Sequence, residues 1–224
     1  MGTVRDAQPV NVAKQQAPLW LRIGFWGCIA IAAAVVLRRV FALAFPPRSA
    51  PPQLASLDAA FSSHAALTLA HILPALAFVV VAPFVVFRRP ANAVWPKRLI
   101  FPLGAVVGVT AYAMSLYSVG GWVERSAVLF FNTYFLYSLL RAFWHMRLDE
   151  PAQERRWMLR AIVVLLGIAT TRPVMGVFFA TSRLTHLTPS QFFGIAFWIG
   201  FSINAIAIEL WLRTGERAWR SQLQ

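Results

Sequence analysis

The chain has 224 residues, of which 58% are hydrophobic and 13% charged, and it carries a formal charge of +13. Soluble domains hold about 25% charged residues, so this composition excludes an ordinary soluble fold and points to the bilayer as solvent. The basic excess is no nucleic-acid signature, because the Lys and Arg residues sit between apolar runs rather than on one polar domain. No nucleic-acid partner is expected.

Met1 to Leu19 reads as a polar cytoplasmic tail, 1–19, ahead of a transmembrane domain over 20–212 and a short cytoplasmic tail over 213–224. A spanning helix needs about 20 largely apolar residues. The first such run is Trp20 to Ala44. Its Ala42-Leu43-Ala44 end resembles a signal-peptide cleavage site, but Arg38 and Arg39 interrupt the junction, so an uncleaved anchor is expected. Cys28 lies inside this run as the single cysteine, which excludes an intrachain disulfide and a thiolate metal cluster. Pro46, Pro47, Pro51 and Pro52 then stop the helix.

Five further runs follow: Phe61 to Phe87, Leu99 to Val119, Ser126 to His145, Trp157 to Ala180 and Gln191 to Leu212. Gly120 and Gly121 make a tight turn between the third and fourth. None of the runs shows barrel-strand alternation, and no internal repeat relates the two halves. The expectation is an all-α bundle of six transmembrane helices.

Charge sets the orientation. Arg5, Lys14, Arg22, Arg88, Arg89, Lys97, Arg98, Arg141, Arg147, Arg155, Arg156, Arg160, Arg213, Arg217 and Arg220 fall on one side, against Arg48, Arg125 and Arg183 on the other. The positive-inside rule then places both termini in the cytoplasm. Trp20, Trp95, Trp144, Trp157 and Trp211 fall near the inner interface, as an aromatic belt requires.

Polar groups at membrane depth are costly, so each needs a partner or a purpose. Counting from the span ends puts His71, Tyr112, Asn132 and Arg172 about 9 to 15 Å below the outer surface at 1.5 Å per residue. Arg38 is at a similar level, and no carboxylate shares it; Glu124 and Asp58 are the nearest acids. This band reads in two ways: as self-satisfied packing, with Pro173 freeing the Ala169 carbonyl as a local partner for Arg172, or as a site for an anionic or aromatic ligand such as a lipid, quinone or haem. His64, His71 and His186 are the candidate metal ligands on the outer side. His64 and His71 share a face of the second span but stand about 10 Å apart along its axis, so they cannot both ligate one iron. Haem therefore remains a single-site alternative.

On the inner side, Glu209 matches the depth of Arg141 and Arg160 and lies one turn from Arg213, so a structural ion pair is expected there. Gly104 and Gly108 form a GxxxG spacing on the third span, with Tyr112 continuing the face. No Walker loop, dinucleotide fingerprint, zinc helix or nucleophile elbow is present. Three functions stay open: a ligand-binding bundle, a haem- or quinone-linked membrane oxidoreductase, and a small transporter or channel subunit.

The combination of His71 in the second span, a basic inner loop after it, the string RRWMLR from Arg155 to Arg160 and the later Arg172 resembles the bacterial family of predicted multi-pass membrane proteins catalogued as domain of unknown function 2306. The likeness covers about Phe61 to Leu212. It implies a multi-pass protein of the bacterial inner membrane and carries no activity with it. Arg88 and Arg89 stand where the family pattern has a His-Arg pair, so no inner-loop histidine site is implied.

Overall fold

The structure is a computed structural model that describes residues 18–45, 62–87 and 94–220. The proline-rich first loop, Arg48, Asp58, Phe61, Arg88, Arg89, Arg5 and Lys14 lie outside the described residues. Everything described is helix or short turn: α1 (Leu19–Ala44), α2 (Ala65–Phe87), α3 (Val94–Ser115), α4 (Gly121–Arg147), α5 (Pro151–Leu165), α6 (Gly167–Thr185) and α7 (Pro189–Arg220).

α5 and α6 form one rod with a single-residue break at Leu166. The Leu166 carbonyl accepts from Ala169 N–H in a tight three-residue step, 2.9 Å. Asn204 of α7 secures the break from the side. Its Nδ2 donates to the Val163 carbonyl at 2.8 Å, and its Oδ1 accepts from the Thr170 hydroxyl at 2.7 Å. A buried amide thus satisfies backbone that the break sets free.

Five helical rods are long and apolar enough to cross a membrane: Leu19–Ala44, Ala65–Phe87, Trp95–Ser115, Pro151–Ser182 and Ser190–Thr214. α4 has 27 residues, about 40 Å at 1.5 Å per residue, but carries more polar side chains. Large apolar residues are exposed all around the bundle; Phe41, Val109, Leu140 and Val177 are each more than 60% exposed. A water-soluble protein could not carry so much contiguous apolar surface, whereas lipid solvates it without cost.

Helix bounds differ from the sequence reading where local chemistry intervenes. α3 starts at Val94 instead of Leu99, because Pro96 falls in the first turn, where a missing N–H costs nothing. It ends at Ser115 instead of Val119, as Leu116 and Tyr117 donate to Ala113 and Met114 in tightening turns. α7 runs on to Arg220, well past Leu212.

The helices make a ring. α1 packs on α2 and α6, α2 on α3, α3 on α4, α4 on α7, and α7 on α6. α5 fills the space between α4 and α7 at the other end of the bundle. Close approach is built in by small residues: a Cβ at Gly104 would lie 2.7 Å from Leu139 Cδ2, and one at Gly108 2.7 Å from Leu136 Cγ. The GxxxG face of α3 is therefore used within the chain, against α4. At the Glu124 end, a Cβ on Gly194 would stand 2.6 Å from the Glu124 nitrogen, so the starts of α4 and α7 meet backbone to backbone.

Candidate functional site

The ring encloses a cavity of about 240 Å³ at the Glu124 end, and every helix of the ring contributes one face to its wall. α4 supplies Glu124, Val128, Phe131, Asn132 and Phe135, spaced at i, i+4, i+7, i+8 and i+11. α7 supplies Phe193, Phe197 and Phe201, each one turn after the last. Such spacing is what a single helical face presents. The apolar wall is aromatic: Phe131 and Phe201 stack with centroids 5.3 Å apart, and Phe197 stands 5.8 Å from Phe201.

Polar groups interrupt this wall. Arg172 of α6 enters it, and its Nε is buried with no hydrogen-bond partner among the described residues. Among the described residues its side chain makes one weak hydrogen bond, Nη1 to the Met175 sulfur at 3.7 Å. The charges acting on it are Arg39, Glu124 and Arg38. Glu124 is itself buried, with Oε2 accepting from the Gly120 N–H at 2.6 Å. That bond caps the start of α4 and leaves the carboxylate facing a cation across the cavity.

His71 of α2 also lines the cavity, with Nδ1 2.9 Å from Thr110 Oγ1. The single Thr110 proton goes to the Val106 carbonyl at 2.7 Å, or is shared with Val107 at 3.1 Å. The Val107 carbonyl also bonds the His71 ring and can only accept, so with Thr110 turned to backbone carbonyls the ring proton is assigned to the nitrogen at this group, Nδ1. Asn132 donates its amide to the Gly108 carbonyl at 2.9 Å. His64 lines the mouth, its ring against Tyr117 at 3.8 Å and its Nδ1 3.0 Å from Ser63 Oγ.

Of the band expected from depth, His71, Asn132 and Arg172 border the same cavity. Tyr112 does not. Its hydroxyl is hydrogen-bonded to Thr133 Oγ1 at 2.7 Å on the α3–α4 face, because it follows Gly108 along the contact side of α3. In α1, Arg39 rather than Arg38 belongs to the wall, and both arginines have partners of their own. His186 caps the end of α6 with φ 53 and is exposed, away from the cavity. Among the described residues no three His, Cys, Asp or Glu side chains converge as a metal site. Cys28 packs with its sulfur 3.6 Å from Thr170 Oγ1.

Glu124 and the Phe131–Phe201 cluster are the cavity elements that depth counting passed over. Their helical spacing was the available signal. A polar start followed by Val128, Asn132 and Phe135 on one stripe marks an inward face.

At the opposite end several polar groups pair with each other, although Arg141 Nε and Ser138 Oγ there are buried without a partner among the described residues. Arg160 Nε and Nη2 grip Glu209 at 2.6 and 3.2 Å, and the Tyr134 hydroxyl donates to the same carboxylate at 2.7 Å. Arg141 lies over the Trp157 ring at 5.2 Å, and Arg160 over the same ring at 4.5 Å. Arg141 also donates to His145 Nε2 at 3.2 Å, and His145 Nδ1 reaches Glu150 at 2.6 Å. Lys97 of α3 binds buried Glu154 of α5 at 2.7 Å.

No curated protein and no solved structure matches this chain. Residues 68–212 match a family described as predicted membrane protein, DUF2306. That segment runs from α2 through most of α7 and takes in His71, Asn132 and Arg172. The chain belongs to this family of predicted membrane proteins.

Proposed function

We propose that this is a six-span protein of the bacterial inner membrane whose cavity, in the outer half of the bilayer, binds a small ring-bearing ligand with an oxygen-rich head, of the quinone class. α4 is the sixth span: its length suffices, Glu124 and Asn132 face the cavity, Tyr134 joins the Glu209 network, and the exposed Thr133 is hydrogen-bonded to Tyr112 and to its own backbone. Both termini are cytoplasmic. Lys97, Arg98, Arg141, Arg147, Arg155, Arg156, Arg160 and Arg213 share one end of the bundle, which the positive-inside rule assigns to the cytoplasm.

The observation that carries the ligand reading is Arg172. A buried guanidinium with an orphaned Nε costs free energy unless something accepts from it, and this one borders a cavity. An anionic or carbonyl oxygen supplies that acceptor. The rest of the wall favours an aromatic body, since Phe131, Phe135, Phe197 and Phe201 offer ring faces and edges. Ligand pockets commonly measure about 300 to 1,000 Å³. At about 240 Å³ this one has room for a ring and its head group and is too small for a haem macrocycle.

The test is a calorimetric titration of the detergent-purified protein with 2-hydroxy-1,4-naphthoquinone, an anionic ring ligand. Saturable binding that weakens at least about tenfold, 1.4 kcal/mol, in Arg172→Leu is expected. Unchanged binding in the variant would remove Arg172 from the site. Binding of a short-chain phosphatidate in place of the naphthoquinone would replace the ring with a lipid head group and overturn the reading.

A further inference from the structure

The direction of each hydrogen bond in the cavity wall tells more about the ligand than the residue types do. His71 spends its one ring proton at Nδ1 on Thr110, whose own proton is committed to backbone. The neutral imidazole then carries a bare lone pair on Nε2; the Val107 carbonyl, which also bonds the His71 ring beside Thr110, is a second acceptor for the Nδ1 proton. Asn132 is fixed in the same sense. A carbonyl can only accept, so the atom facing Gly108 is the amide nitrogen, and Oδ1 is the end without a protein partner. Ser115 likewise donates its hydroxyl proton to the Tyr112 carbonyl and keeps only lone pairs for the cavity. With the Glu124 carboxylate added, the wall is rich in acceptors, and among the described residues its buried side-chain donor without a partner is Arg172.

A quinone carries two carbonyl oxygens and no polar hydrogen. It satisfies Arg172 and leaves the lone pairs of His71 and Asn132 facing oxygen lone pairs, which is repulsive in a dry site. The corresponding hydroquinone differs by two O–H groups. One can donate to His71 Nε2 or Asn132 Oδ1 while the other oxygen accepts from Arg172.

We infer that the cavity selects the reduced, hydroxyl-bearing member of the quinone class over the oxidised one, because His71 and Asn132 are held in the orientation that accepts hydrogen bonds. The inference rests on the ligand reading above. Sites built to bond a hydroxyl reject the analogue without it, since their own polar groups are then left unpaired.

Tetramethylhydroquinone and tetramethylquinone have the same ring and methyl groups, so they isolate the two hydrogens. Each is titrated by calorimetry, under argon, into the purified wild-type protein and His71→Phe. The hydroquinone is expected to bind at least about tenfold tighter than the quinone in the wild type, the size of one hydrogen bond and the relief of one repulsion. His71→Phe should narrow that ratio, with a thermal melt confirming that the variant is folded. Equal affinities in the wild type, or tighter binding of the quinone, overturn this inference and leave the cavity as a ring-binding site. Failure of both compounds to bind up to their solubility removes the ring-binding reading itself. The wild-type ratio decides the matter even where the variant does not fold.

Discussion

Two polar clusters lie at opposite ends of the same bundle, and they are built on opposite plans. Around Glu209, two donors from Arg160 and one from Tyr134 converge on one carboxylate, so charge and hydrogen bonds close on themselves. Around Arg172, the anion acting on the guanidinium is Glu124, held by the backbone of Gly120, and the guanidinium Nε has no acceptor among the described residues. The Glu209 carboxylate is satisfied without a ligand, although Arg141 Nε nearby is also buried without an acceptor; what sets Arg172 apart is that its orphaned Nε borders a cavity. On the reading proposed above this contrast separates a fastening from a ligand site, because polar groups at depth persist only when paired or when they face something polar.

Breaking the closed cluster should have the largest effect on stability. Arg160→Ala leaves Glu209 with Tyr134 alone and is expected to cost about 1.5–3 kcal/mol, the range for a hydrogen bond to a charged group. Unfolding in mixed micelles would measure it, and ligand binding by the folded fraction should stay as in the wild type. A loss below the range would mean that Glu209, whose side chain is 30% exposed, is served by water instead.

Tyr134→Phe sharpens the comparison with a smaller change. Only one of three hydrogen bonds to Glu209 goes, so about 0.5–1.5 kcal/mol is expected in the same assay. The ring still fills its place beside α7.

Arg172→Leu should have the smallest effect on stability, neutral or slightly favourable, because an apolar residue replaces a buried charge that lacks a close acceptor. A large destabilisation would show that Arg172 is a fastening after all. In that case the two clusters would not differ in kind.

Much of this arrangement was legible in the sequence. Runs of 20 or more apolar residues locate helices because lipid-exposed backbone must bond within its own segment. Depth counting brought Glu209 level with Arg160, and it brought His71, Asn132 and Arg172 to one level. Depth fixes only the coordinate along the helix, however, and each residue also turns about 100° around it. That is why Arg38 was expected where Arg39 stands: α1 is apolar all round and offers no polar face to set its rotation. Tyr112 failed for the same reason, at the right level but turned toward α4. The break at Leu166 carries only the weak signals of Gly167 and Pro173, and Asn204 gains its role only once α7 is beside it.

The difference between the two clusters is tested most directly by thermal unfolding of three proteins with and without saturating 2-hydroxy-1,4-naphthoquinone. A ligand at about 100 times its Kd stabilises the folded state by about 2.7 kcal/mol, enough to raise the melting temperature measurably. Wild type and Tyr134→Phe should both show the ligand-induced rise, the latter from a lower starting point, whereas Arg172→Leu should melt near the wild-type temperature and show no rise. A rise retained in Arg172→Leu, or lost in Tyr134→Phe, would contradict the assignment of the open cluster to ligand binding and the closed one to structure.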